Sequence, residues 1–396
     1  MKKILIYSFI FISTIVFGAC SSEIEDGTTD IDSWPPPIGE QFTPKMVHPG
    51  VLHTKQSIEK MRDVVDAADD DSPAYKTYVN MKNNGLSKSD YTLRGPFEYI
   101  SRDHPDYSFT KGAFEADFSA AYLNALMWAV TENEEHAEKT IEILVKYADK
   151  LKGIPESNDA PLLVGLQGFQ IIYATEMVST TYDKMNKDDL DKINGMIRNI
   201  FLPIMVKFYN TPPYTNGNWG IIVTKAYMAA AILWNDVDMY KEAVRFYLYG
   251  NDNGTINYVD GETGQNQESG RDQGHAQLGI GGMAAICELA YQQGNDLYGL
   301  LDNRLLKGYE YTAKYNLGYD VPYKVWKDVT GKYSNWSVIG SGGRGNFRAI
   351  YAMAYNHYVD RKGLSMPYTK EVLEEKQPVE GYDADNIGFG TFQFLP

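Results

Sequence analysis

The chain has 396 residues, with 37 Lys and Arg against 52 Asp and Glu, for a formal net charge of −15. Hydrophobic residues make up 43% and aromatics 13%, enough apolar side chain to exclude a disordered or fibrous protein. The acidic balance excludes nucleic acid and anionic membrane as partners, because both need basic stripes; a few clustered arginines can still dominate one cleft and serve an anionic substrate there. The 30 tyrosines each join an apolar ring to a polar tip, which suits sugar clefts, although half-buried helix packing accounts for most of them.

Residues 1–20 read as an export signal: Lys2 and Lys3 form a basic start, Ile4 to Phe17 an apolar run, and Gly18-Ala19 the small residues before Cys20. Small residues directly before a cysteine resemble a bacterial lipoprotein lipobox, with Cys20 as the lipidated residue. The apolar run is short for a membrane span, so membrane attachment is expected only through that anchor. Residues 21–45 are polar and acidic, then Pro-rich, and read as a flexible tether. An acidic stretch right after the cysteine resembles the surface-export tag of Bacteroidetes lipoproteins, which predicts the outer membrane surface or the periplasm of a Gram-negative bacterium. Cys287 is the only other cysteine. No intrachain disulfide is therefore expected after processing, and Cys287, inside an apolar helical stretch, reads as an inert buried thiol.

From about residue 46, helix-period segments recur at 54–65, 113–131, 134–151, 161–179, 187–208, 219–234, 237–249, 275–293, 296–315 and 346–361. Their apolar residues fall at three- and four-residue steps, as in Phe118, Ala121, Tyr122, Ala125 and Trp128. Asn133 and Asn186 stand where caps belong, and Pro203 predicts a kink or break late in its segment. Alternating strand segments are scarce, and no linker divides the middle of the chain. Helical hairpins in one domain must close on themselves to bury both faces, so the fold class predicted is all-α: a single-domain (α/α) toroid or barrel of six or seven hairpins over residues 46–365. Residues 366–396 lack clear periodicity and form a C-terminal tail without an assigned role.

Two loops carry the polar residues that chemistry needs. The first, residues 211–220, holds Pro212-Pro213, an Asn216-Gly217 turn, and Asn218-Trp219 opening the next helix. Asn218 reads either as a plain cap or as a donor above a helix N-terminus, which favours a negative ligand group. Trp219 reads either as a sugar-stacking platform or as core. The second loop, residues 261–283, gathers Gln267, Glu268, Ser269, Arg271, Asp272 and Gln273 ahead of His275 at the head of an apolar helix. Arg271 and His275 share a face if that turn is already helical. A charged fork beside a titratable imidazole can hold a carboxylate and move a proton; the alternative is an ionic network that only locks the loop.

NGNWG, QESGRDQGHAQLG, NRLLKGYEYTAKYNLGYDVPY and GRGNFRAIYAMAYNHY, in this order, resemble the alginate lyase-type polysaccharide lyases over roughly residues 46–365. The resemblance implies an (α/α) toroid and β-elimination on a polyuronate. It carries Asn218 and Arg271 over as site residues. The better-known members have Asn-His in the first loop and a tyrosine seven residues after the arginine; here Trp219 follows Asn218, and Leu278 stands at the second position. His275 is thus the candidate to replace the missing histidine. Tyr323 is the first choice for the tyrosine, ahead of Tyr315, Tyr214 and Tyr107, with Tyr298 returning only if Gly279, Gly281 and Gly282 break the helix after His275. Gln167, Trp219, Arg344 and Arg348 are the expected substrate-binding residues.

In such an elimination the C5 proton becomes acidic when protein donors neutralise the C6 carboxylate. A base then removes it and an acid protonates the O4 leaving group. Polymannuronate is the first expected substrate and glucuronan the second. No cofactor is expected, and no catalytic metal, since the six histidines show no HExxH spacing; a structural calcium is left open. The chain is expected to act as a monomer. Two rivals use the same residues differently: an (α/α) glycoside hydrolase built on paired carboxylates such as Glu268 with Asp272 or Asp117, and a non-catalytic glycan-binding lipoprotein.

Overall fold

Two kinds of helix alternate along the chain, and their burial explains the architecture. A computed structural model describes residues 40–209, 217–250, 254–328, 331, 334–386 and 388–396. Cys20, most of the tether, the Pro212-Pro213 stretch and Tyr214 lie outside the described residues. Helices α1 (Lys55–Ala67), α4 (Glu134–Lys150), α6 (Lys187–Met196) and α9 (Val237–Tyr249) each bury one stripe; in α4 it is His136, Ala137, Thr140, Ile143, Leu144 and Tyr147, the pattern of an outer helix with a wet back. Helices α3 (Lys111–Thr131), α5 (Ala160–Thr181), α8 (Asn218–Leu233) and α11 (Gln273–Gln292) are buried on nearly every face. The remaining helices are α2 (Pro73–Asn83), α7 (Leu202–Tyr209), α10 (Thr255–Tyr258), α12 (Leu300–Asn316), α13 (Tyr351–Tyr355), α14 (Pro367–Glu371) and α15 (Gly390–Gln393). Among the described residues no strand forms beyond isolated bridges, and no helix is long and apolar enough to cross a membrane. The result is the expected (α/α) toroid.

The inner helices run side by side with their N-termini on one face. Tyr122 of α3 meets Tyr173 of α5 with ring centres 4.5 Å apart. Leu162 and Leu166 of α5, Ile222 of α8 and Leu278 of α11 cluster near the helix starts. Close approach is bought by glycine: a Cβ at Gly165 would lie 2.9 Å from the Ile222 backbone. The glycines of α11 do the same and do not break the helix. A Cβ at Gly279 would meet the Tyr258 hydroxyl at 1.9 Å, and one at Gly282 would meet Ile221 at 2.9 Å. Tyr298 therefore stays at the far end of the ring, fully buried, donating to the Ala284 carbonyl at 3.1 Å and stacked on His357. Cys287 is buried beside the Tyr247 hydroxyl.

The caps at Asn133 and Asn186 form as read, each accepting a backbone N–H of its helix. The break expected from Pro203 is a widened π turn at Ile197–Phe201, where the proline cannot complete the regular ladder. Helix α2 is absent from the periodic segments because it buries only Thr77, Tyr78 and Met81.

The C-terminal residues turn into the ring. Tyr382 donates to Ser119 of α3 at 2.9 Å, Gln170 of α5 donates to the Ala384 carbonyl at 3.4 Å, and Tyr122 donates to Gln393 at 2.8 Å. Glu380 accepts the Tyr351 and Ala352 N–H groups at 2.9 and 3.1 Å, at the start of α13. A small cavity, with room for about one water molecule, lies between Glu380, Asn386, Lys225 of α8 and Gly281 of α11. These contacts sit roughly two turns in from the helix starts, so residues 380–386 and 388–390 floor a cup whose rim is the ring of inner N-termini.

Burial pushes the Glu380 carboxyl up to about 7, against the backbone N–H groups that favour its anion. An unfolded carboxyl ionises near 4.5, so the unfolded chain loses this proton first and stability falls as pH rises from about 4.5 to about 7. Glu380→Gln should remove this component. Urea unfolding at pH 5 and pH 7 is expected to show the wild type losing about 2 kcal/mol more than the variant between the two.

Candidate active site

The second polar loop folds on itself before it reaches α11. Val259 and Asn266 form an antiparallel bridge, Asp260 accepts the Thr263 N–H and hydroxyl at 2.8 Å, and Asn266 accepts the Glu268 N–H at 3.1 Å. Asp272 then caps α11, accepting the His275 N–H at 2.9 Å. This turn sends Glu268 inward and leaves Arg271, Asp272 and His275 at the rim.

Glu268 is fully buried and is the hub of the site. Asn218 donates to its two oxygens at 3.1 and 3.2 Å, Tyr258 at 2.9 Å and Arg271 at 3.0 Å. Asn218 opens α8 directly. The cap position belongs to Gly217, at φ 74°, whose N–H donates to Gln267 at 2.7 Å. The plain-cap alternative for Asn218 is thereby corrected, because its amide points to Glu268. Its Oδ1 is buried without a partner among the described residues, as is Oε1 of Gln167. Burial raises the Glu268 carboxyl above its ordinary value, opposed by Arg271, His275, Tyr258 and Asn218.

The second carboxylate behaves in the opposite way. Asp272 takes the His275 Nδ1 at 2.7 Å, and Arg271 Nε stands 3.7 Å away. Burial works against its anion, but the bonds from His275 and the charge of Arg271 win and hold it below the usual range. An ionised carboxylate only accepts, so Nδ1 carries the proton, and in the neutral imidazole Nε2 is then the basic nitrogen. Arg271 precedes the cap, so it does not share a helical face with His275; the two are joined through Asp272. The side chains of Arg271, Asp272 and His275 are 30%, 30% and 40% accessible, while Asn218, Tyr258 and Glu268 are sealed beneath them.

Tyr323 stands next to this group. Its hydroxyl donates to the Trp336 carbonyl at 2.7 Å, and a Cβ at Gly270 would lie 2.3 Å from it. Burial raises its pKa. Tyr315 is buried under the Arg344 guanidinium, 4.0 Å from the ring centre. Tyr107 packs on Tyr99 and His104 ahead of α3, away from the hub. Trp219 packs against the core, half-buried. Arg344 donates to the Tyr315 and Tyr319 carbonyls at 2.7 and 3.0 Å, and Arg348 is gripped by Asp383 and Asp385. The structure thus brings Asn218, Arg271, His275 and Tyr323 together and gives Arg344 and Arg348 partners within the protein. Tyr258 was not legible as a site residue; its only signal is its place directly before the loop. Among the described residues no three His, Cys, Asp or Glu side chains stand together as metal ligands.

The carboxylates suggested for hydrolysis are all engaged. Glu268 and Asp272 are bonded as described, and Asp117 accepts from the Tyr91 and Tyr147 hydroxyls and from the Arg94 and Gly95 N–H groups.

A family model described as alginate lyase matches residues 60–320. No curated protein matches the chain in sequence. The fold is similar to alginate lyase A1-III from Sphingomonas species A1, with a TM-score of 0.65 and 12% identity over 92% of this chain and 99% of that one. A tyrosine-to-phenylalanine variant of A1-III complexed with a tetrasaccharide gives 0.64 and 12%, over 86% and 94%. An alginate lyase from Bacteroides ovatus gives 0.55 and 12%, over 88% and 100%. With the family model spanning more than half of the sequence and the toroid shared, the chain belongs to the alginate lyase family and is a polysaccharide lyase.

Proposed function

We propose that the protein cleaves a 1,4-linked polyuronate by β-elimination, with polymannuronate as the first substrate and glucuronan as the second. The observation that carries this reading is the convergence of Arg271 and the Asp272–His275 pair on one rim, directly above a buried Glu268 that Asn218 and Arg271 both hold. Arg271 meets the C6 carboxylate of the sugar and draws off the charge that builds on it as C5 loses its proton, while Asn218, beneath it, steadies the Glu268 that aims Arg271. Glu268, pushed toward neutrality by burial, lies beneath the rim and holds Asn218 and Arg271 in place. His275 Nε2, with its tautomer set by Asp272, is the base for C5–H. Tyr323 is the acid for O4, and its raised pKa keeps it protonated at neutral pH. Gln167, expected to bind substrate, is buried, and its Oε1 has no partner among the described residues. In mannuronate and glucuronate the two proton transfers lie on the same face, as groups on one loop and its neighbour require. The basic and apolar start of the sequence, ending in Gly18-Ala19-Cys20, supports an exported lipoprotein acylated at Cys20 at the outer membrane surface or in the periplasm, and the protein is proposed to act there as a monomer.

Incubation with polymannuronate, polyguluronate and glucuronan tests the reading. A lyase yields an unsaturated uronate end that absorbs in the ultraviolet; a hydrolase yields reducing ends without absorbance, and a binding protein yields neither. His275→Ala is expected to lower kcat about 10²–10⁴-fold, and retention of full activity would remove His275 from the mechanism. Asp272→Asn should keep the helix cap, since Asn caps as well as Asp, but misplace the imidazole proton. Its melting temperature is expected to stay near wild type while kcat falls by at least about 10²-fold.

A further inference from the structure

A run of buried bonds joins the floor of the ring to the rim. On the floor, Arg348 donates to the two oxygens of Asp383 at 2.7 and 3.0 Å and to Asp385 at 2.9 Å. Arg348 ends a segment, residues 334–348, without helix or strand, and this segment lies along the site loop. Gly340 donates its N–H to the Ser269 carbonyl at 2.8 Å, and Gln273 donates its N–H to the Gly342 carbonyl at 2.8 Å. A Cβ at Gly340 would fall 2.7 Å from the Arg271 carbonyl oxygen.

Three buried amides tie this wall to the helices behind it. Gln277 accepts the Arg348 N–H at 2.9 Å and the Tyr351 hydroxyl at 3.0 Å, and donates to the Asn346 and Gln273 carbonyls at 2.9 and 3.1 Å. Gln273 donates to the Gly340 carbonyl at 2.8 Å. Asn316 donates to Gln273 Oε1 at 3.0 Å and accepts the Gly345 N–H at 3.2 Å. A network this fully bonded is rigid, and losing one member exposes the others.

We infer that Asp383 and Asp385 are positioning residues of the site: by holding Arg348 they fix, through Gln277, the 340–348 wall against Arg271 and the Asp272–His275 pair. The inference rests on the lyase reading for its kinetic consequence and on geometry alone for its structural one. Arg348 is largely buried, at 22% accessible, and a guanidinium there needs carboxylates opposite it. Without them it must turn to solvent, and its backbone N–H leaves Gln277.

The test compares full-length wild type with Asp383→Asn/Asp385→Asn, Arg348→Gln and the triple variant. Hydrogen exchange of peptides covering residues 336–348 is expected to speed up at least about tenfold in each variant. On the polyuronate that the wild type cleaves best, kcat is expected to fall about tenfold with KM within about twofold. The triple variant should lose no more than either parent, because all three changes cut one chain of contacts. Unchanged exchange overturns the inference, as do losses that multiply in the triple variant. A rise in KM with kcat intact also overturns it, since that pattern marks Arg348 as touching substrate directly. If the double variant does not fold, Arg348→Lys, which keeps the charge but not the fork, is expected to show the same exchange and kcat pattern at about threefold, and its absence counts against the inference. Should the wild type cleave no polyuronate, the lyase reading fails while the exchange result still decides the structural claim.

Discussion

A buried carboxylate is the constraint on which the site depends. Glu268 has no access to water, and a carboxyl so placed is tolerated only with donors around it. Those donors come from three different parts of the chain: Asn218 from the start of α8, Tyr258 from the end of α10, and Arg271 from the loop itself. Satisfying one side chain therefore fixes the relative position of two helices and a loop. It also aims Arg271 along the rim, where an anionic sugar can reach it.

The neighbouring carboxylate shows how environment divides labour between like groups. Glu268, sealed from water, is driven toward its neutral form; Asp272, at the rim between an imidazole and a guanidinium, is driven toward its anion. Acid–base chemistry at neutral pH uses such pairs, in which two similar groups are pushed apart. Asp272 also closes the first turn of α11, so the bond that orients His275 and the bond that starts the helix belong to one side chain. The imidazole is thereby held to the scaffold and not to a mobile loop.

The fold was largely legible because its signals are local. The one-sided stripe of α4 and the continuous apolar runs of α3, α5, α8 and α11 are periodic, and the caps at Asn133 and Asn186 are single residues beside them. Of the site, the polar crowd ahead of α11 was visible, as was the presence of Asn218, Arg271 and His275 in it. What the sequence hid is long-range. Tyr258 joins the hub only because the loop doubles back through the Val259–Asn266 bridge. The fate of Arg348 depends on Asp383 and Asp385, which lie in a stretch without periodicity. From sequence the α11 glycines read only as places where the helix could break; the positions of Tyr258 and Ile221 show that Gly279 and Gly282 make room for neighbours instead.

The floor of the cup comes from residues that follow every ring helix in chain order. Its bonds span large sequence separations: Ser119 to Tyr382 across 263 residues and Gln170 to Ala384 across 214. Contacts of this kind carry the greatest loop-closure entropy and raise the contact order of the whole ring. The helical hairpins can zip up from neighbouring segments, but the lumen closes only afterwards. The site's support thus leans on some of the most distant pairings in the chain, whose closure carries a large entropic cost.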